Sequence, residues 1–130
     1  MSDTIFAVAT AGGRAGVAVV RISGDRAHLI ADQLAGPGLI SRQPSLRTLR
    51  NPDGEPLDDA LVLLFNEGAS FTGEAVTEFH THGSPAVVSV VLDELSRCEN
   101  TRLATPGEFT RRALEIGKAL HLGEIQTPVL

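Results

Sequence analysis

The chain has 130 residues, enough for one compact domain, and its 42% hydrophobic and 21% charged residues exclude disorder over most of its length. With no Trp, no Tyr and only 5 Phe, the core must be built from Val, Leu, Ile and Ala. A net charge of −5 with scattered Lys and Arg disfavours autonomous RNA binding, while a lone Cys98 and the lack of a basic leader or long apolar run lead us to expect a soluble, cytoplasmic protein without membrane contact.

Ile5 to Thr10 reads as a first strand and Val17 to Ser23, rich in β-branched residues, as a second. Gly24-Asp25 ends that strand and opens a helix whose Ala27, Ile30, Ala31 and Leu34 form one apolar stripe, closed by Gly36-Pro37-Gly38. Ser45 to Arg50, the turn Asn51-Pro52-Asp53-Gly54 and the hydrophobic Asp59 to Phe65 predict a hairpin. After a loop from Glu67 to Gly73, Val76 to His82 is a further strand. Ser84-Pro85 opens a helix that presents Val88, Val91, Leu92 and Leu95 on one face. A short strand around Arg102 to Ala104 precedes Thr105-Pro106-Gly107-Glu108, which reads as a capping box with Pro just inside the last helix. Gly117 is the expected stop of that helix. Hairpins mixed with packing helices predict an α+β fold with a mixed or antiparallel sheet. The segment from Ala119 to Leu130 has no clean period and is expected to be an atypical, poorly ordered tail.

Three residues draw attention on chemical grounds. Strand alternation puts Arg21 in a slot that Val17 and Val19 reserve for aliphatic side chains. Either the strand ends there and Arg21 reaches water, or its guanidinium is held for a carboxylate, phosphate or planar ligand. Glu78, His80 and His82 share one strand face. They could be a solvated polar face, a metal set, or a carboxylate reading paired N–H donors such as those of a pterin edge. Neighbours on one strand face stand about 7 Å apart, so a single strand rarely closes a metal site, and we expect no metal. Lys118 follows the predicted stop. It is either a solvated residue at the negative end of the helix dipole or a cation positioned for an anionic tail. Gly12-Gly13-Arg14-Ala15-Gly16 lacks the phosphate-loop pattern, and no nucleophile elbow or Cys pair occurs, so no catalytic residue is assigned.

Asp3-Thr4-Ile5-Phe6-Ala7, Gly16-Val17-Ala18-Val19-Val20-Arg21-Ile22-Ser23-Gly24, Ser70-Phe71-Thr72-Gly73-Glu74, Glu78, His82-Gly83, Pro106-Gly107-Glu108-Phe109-Thr110-Arg111-Arg112-Ala113 and Gly117-Lys118 resemble, in order and spacing, the N-terminal domain of the MnmE (TrmE) family of tRNA-modification GTPases. The resemblance implies a domain over residues 1–118 that is similar in fold to tetrahydrofolate-binding domains of the aminomethyltransferase type. Such a domain binds 5-formyltetrahydrofolate or another one-carbon tetrahydrofolate and forms a homodimer. It also implies that Arg21, Glu78 and Lys118 contact the folate. Full family members act with the flavoprotein MnmG on the wobble uridine of tRNA, and GTP, Mg and K belong to a G domain that this chain lacks. Where the family reads Asn-Gly-Lys and then Leu-Asp, this chain has Ile116 and Ala119-Leu120-His121, which leads us to expect a truncation or a shifted reading frame. Two rivals are a dimerisation module without a functional ligand site and a metal-dependent hydrolase using Glu78, His80 and His82.

Overall fold

The structure is a computed structural model, and it describes residues 3–9 and 16–121, without the side chains of residues 118–121. The glycine-rich stretch 11–15 and the tail residues 122–130 lie outside the described residues.

Six strands form one sheet: β1 (Thr4–Val8), β2 (Val17–Ser23), β3 (Ser45–Arg50), β4 (Pro56–Phe65), β5 (Val76–His82) and β6 (Thr101–Leu103). Their order across the sheet is β3-β4-β5-β2-β1-β6. Every neighbouring pair is antiparallel except β1 and β6, which run parallel. Helices α1 (Ala27–Ala35), α2 (Pro85–Ser96) and α3 (Glu108–His121) complete the described fold, which is α+β with a mixed sheet.

The alternation of side chains along the strands gives the sheet two unlike faces. Val20, Ile22, Ala60, Val62 and Phe79 point towards α1 and α2 and join Ile30, Leu34, Val91 and Leu95 in one core. The predicted stripe of α1 is buried as expected, and Thr77 Oγ1 donates to the carbonyl of Ala27, 2.7 Å away, fixing α1 over β5. In α2, the Ser84 hydroxyl accepts from the N–H of Val87 at 3.2 Å, with Pro85 in the first turn. Val91 and Leu95 are buried and Val88 and Leu92 half-buried.

Three expectations are corrected. Thr105 to Glu108 is a turn closed by the Glu108 N–H and the Thr105 carbonyl (3.0 Å), with Gly107 at φ +77°, so α3 begins at Glu108 and Pro106 stays outside it. This Pro-Gly pair has the form of a type II turn, whose third residue requires a positive φ. Only half of the box forms: the Glu108 carboxylate accepts from the Thr105 N–H at 3.0 Å. Second, α3 runs through Gly117 to His121. A glycine retains its N–H and costs a helix only about 1 kcal/mol, so it stops one only where it takes up the left-handed conformation. Third, β4 starts earlier than predicted, at Pro56, and β6 is shifted one residue earlier.

Candidate functional site

The face of the sheet turned away from α1 and α2 carries Arg21, Glu78 and His80. Arg21 on β2 stands directly opposite Glu78 on β5, within a row that runs Ala7, Arg21, Glu78, Leu63 across four strands. The next row is Val19, His80, Leu61, Leu46. The charged pair therefore sits among aliphatic neighbours on an open face, where Val17, Leu46 and Leu61 are exposed.

Arg21 does not reach for water. Its Nε donates to Glu78 Oε2 at 2.9 Å and its Nη2 lies 2.8 Å from the same oxygen, with the two side chains only 19% and 13% exposed. His80 Nε2 stands 3.0 Å from Glu78 Oε1. With a carboxylate beside it, that nitrogen carries the proton. The alternation that put Glu78, His80 and His82 on one face is correct, but the three do not converge. His82 turns to Asp58, whose carboxylate accepts from the His82 backbone N–H and lies 2.8 Å from Nδ1. Among the described residues no group of three or more His, Cys, Asp and Glu is placed to hold a metal ion. Lys118 falls in the last turns of α3, and its side chain lies outside the described residues. The structure thus brings Arg21 and Glu78 together.

A second cluster was missed by sequence reasoning. The Ser70–Glu74 loop folds back on β2, where Ser23 Oγ lies 2.6 Å from Thr72 Oγ1 and donates to Glu74 Oε1 at 2.8 Å. Gly73, at φ +83°, lies so close to α3 that an added Cβ would stand 2.7 Å from Ile116 Cγ2. Arg112 of α3 donates to Glu74 (3.1 Å) and to Asp3 (3.1 Å), and Arg102 of β6 bridges Asp3 and Glu108. Hydrogen bonds from Arg102, opposed by burial, hold the Glu108 carboxyl down at about 2. The same guanidinium lowers Asp3. The signal in the sequence was the concentration of acids and arginines in three separate blocks around Asp3, Glu74 and Glu108-Arg112. Only the fold shows that they are one clamp. Two clefts of about 510 and 260 Å³ flank the contact of Gly73 with Ile116, and neither is lined by Arg21 or Glu78.

Comparison with known proteins gives this arrangement a family. The model of the GTP-binding protein TrmE N-terminus matches residues 4–118. The tRNA modification GTPase MnmE of Ruegeria pomeroyi is 59% identical over 116 residues, covering 89% of this chain and 27% of that protein. The namesake from Dinoroseobacter shibae is 56% identical over 113 residues (87% of this chain, 26% of that protein), and that from Roseobacter denitrificans 52% over 124 residues (95% and 29%). The chain spans less than a third of the length of these curated relatives. A match over nearly every described residue, with the motif blocks in place, makes this chain a member of the TrmE N-terminus family.

Proposed function

We propose that this chain is the folate-binding and self-associating part of an enzyme that modifies the wobble uridine of tRNA in the cytoplasm. The observation that carries the reading is the Arg21–Glu78 pair, a nearly buried ion pair on the sheet face turned away from the core under α1 and α2. A carboxylate set among aliphatic side chains suits a flat heterocycle with two adjacent N–H donors, as in the pterin of 5-formyltetrahydrofolate. The apolar rows around it offer both contact for the ring and surface for a second copy of the chain.

The donor set fits this ligand on one condition. A carboxylate has about four lone-pair positions. Arg21 occupies two of them on Oε2 and His80 one on Oε1. A two-donor edge therefore needs His80 or Arg21 to swing aside, and His80 makes the weaker, single bond. Arg21 keeps further N–H groups for polar parts of the ligand, and Lys118 would meet its anionic tail. The bound folate would supply a one-carbon unit; these residues would bind and orient it. GTP hydrolysis with Mg and K, and action with the flavoprotein MnmG on tRNA, would belong to the part of the relatives that this chain does not span.

Calorimetric titration with 5-formyltetrahydrofolate tests the reading. Binding that is lost in Glu78→Ala is expected; a folded dimer that binds no folate would leave the second reading, a dimerisation module whose pair is permanently closed. That reading is favoured by the same geometry, since both oxygens of Glu78 are already engaged.

A further inference from the structure

On the helix side of the sheet, away from the pair, a cleft of about 390 Å³ opens between α1, the β3–β4 hairpin and the end of α2. Three arginines from three separate segments line it: Arg26, just before α1; Arg50, at the end of β3; and Arg97, at the C-terminal cap of α2. Two carboxylates, Glu94 and Glu99, also line it, so guanidinium groups outnumber carboxylates by one.

Each of these arginines keeps guanidinium N–H groups without a partner among the described residues. Arg26 Nη2 is 3.9 Å from Glu99 Oε2, beyond hydrogen-bond reach, and Glu99 is itself almost fully exposed. The Nε of Arg26 is buried and has no hydrogen-bond partner among the described residues. An orphaned buried donor costs about 1–3 kcal/mol, and native structures leave few of them. Arg26 can therefore turn towards an anion without giving up a bond at Nε. Arg97 pairs with Asp93 at 2.7 Å, both side chains well exposed, and its Nη1 donates at 3.5 Å to Oε1 of the buried Glu94; exposed pairs of the first kind contribute about 0–1 kcal/mol. Arg50 gives one N–H to the carbonyl of Gly54 at 3.0 Å and retains the rest of its fork.

We propose that this cleft binds the phosphate group of a small phosphorylated solute, through Arg26, Arg50 and Arg97. A planar carboxylate is served by one guanidinium fork, whereas donors arriving from three segments match the tetrahedral oxygens of a phosphate. The cleft is larger than a bare phosphate needs, and Leu34, Pro52 and Cys98 give it an apolar wall for the group that the phosphate esterifies. The acidic balance of the chain selects a small solute over a polyanion.

The test is a titration of the 130-residue chain with inorganic phosphate at constant ionic strength, read by the arginine side-chain N–H signals in 1H–15N NMR spectra. Saturable shifts of the Arg26 and Arg97 Nε–H signals are expected, weakened about ten-fold or more in Arg26→Gln, as fits loss of a charge-assisted hydrogen bond. Arg50→Gln is the second variant, and unchanged backbone spectra establish that each is folded. Shifts that track chloride equally well, or that survive in both variants, overturn the proposal. Stronger binding of a phosphate monoester than of inorganic phosphate supports the apolar wall, and equal binding refutes that part.

Discussion

Removing Glu78 separates a structural ion pair from a solvated one. In Glu78→Ala, Arg21 loses the acceptor of its Nε and Nη2, and His80 loses its partner as well. Truncating one member of a buried pair costs about 3–5 kcal/mol, because the other charge is left without solvent or partner. Arg21 is 19% exposed, so water recovers part of its solvation, and we expect a loss of about 2–3 kcal/mol. Replacing both partners removes the stranded charge. Arg21→Leu/Glu78→Leu, set among Ala7, Val19, Leu61 and Leu63, is expected to fall within about 1 kcal/mol of the parent. The assay is urea unfolding at neutral pH and fixed protein concentration, with unchanged m-values as the condition for comparing midpoints. A Glu78→Ala midpoint indistinguishable from the parent would show that the pair is solvent-screened. A double variant as unstable as the sum of its singles would refute the stranded-charge argument itself.

Other expectations follow from particular contacts. Gly24 sits at φ +139°, and a Cβ there would lie 2.8 Å from the backbone Cα of Thr4, so Gly24→Ala should destabilise by about 3 kcal/mol in the same urea assay. Glu108 titrates at about 2 in the fold against an ordinary 4.5, so its contribution is complete above pH 4.5 and is lost as the pH falls towards 2. Glu108→Gln should flatten the stability–pH slope across that interval, and an unchanged slope would remove Glu108 from the acid transition. Burial pushes the Cys98 thiol up, so its reaction with a disulfide reagent at pH 8 should run several-fold slower than that of free cysteine and equalise in denaturant. His80→Ala should tighten 5-formyltetrahydrofolate by freeing Oε1, by up to about ten-fold for one hydrogen bond released; weaker binding would make His80 a ligand contact instead.

The elements with strong local signals were legible in the sequence. The stripe of α1, the Ser84-Pro85 cap and the β-branched run of β2 appear as read, because each depends on neighbours within a few residues. Alternation also assigned Arg21 and Glu78 to definite faces of their strands. It could not show that the two face each other, since that depends on the register of β2 against β5, residues 57 apart in the chain. Asp58 is not legible in the sequence for the same reason: its partner His82 comes from the next strand. Residue type at Gly117 does not mark the end of α3, because the backbone there stays helical.

The motif blocks also divide into two kinds of constraint once the fold is known. Arg21 and Glu78 pair with each other on the sheet face turned away from α1 and α2, where the proposed ligand site lies. Asp3, Ser23, Thr72, Glu74, Glu108 and Arg112 are turned towards one another, tying α3 to the start of β1 and to the Ser70–Glu74 loop. Charge and hydrogen bonds run through this tie, and Arg112 is their centre, with 12% of its side chain exposed and three carboxylates around it. Lys118 lies six residues further along the same helix. In the folate-binding reading proposed above, Arg112 would help to set where this part of the helix stands relative to Arg21 and Glu78 without itself touching the ligand. On that reading, a block of motif residues would act on the proposed site by holding the helix that carries Lys118.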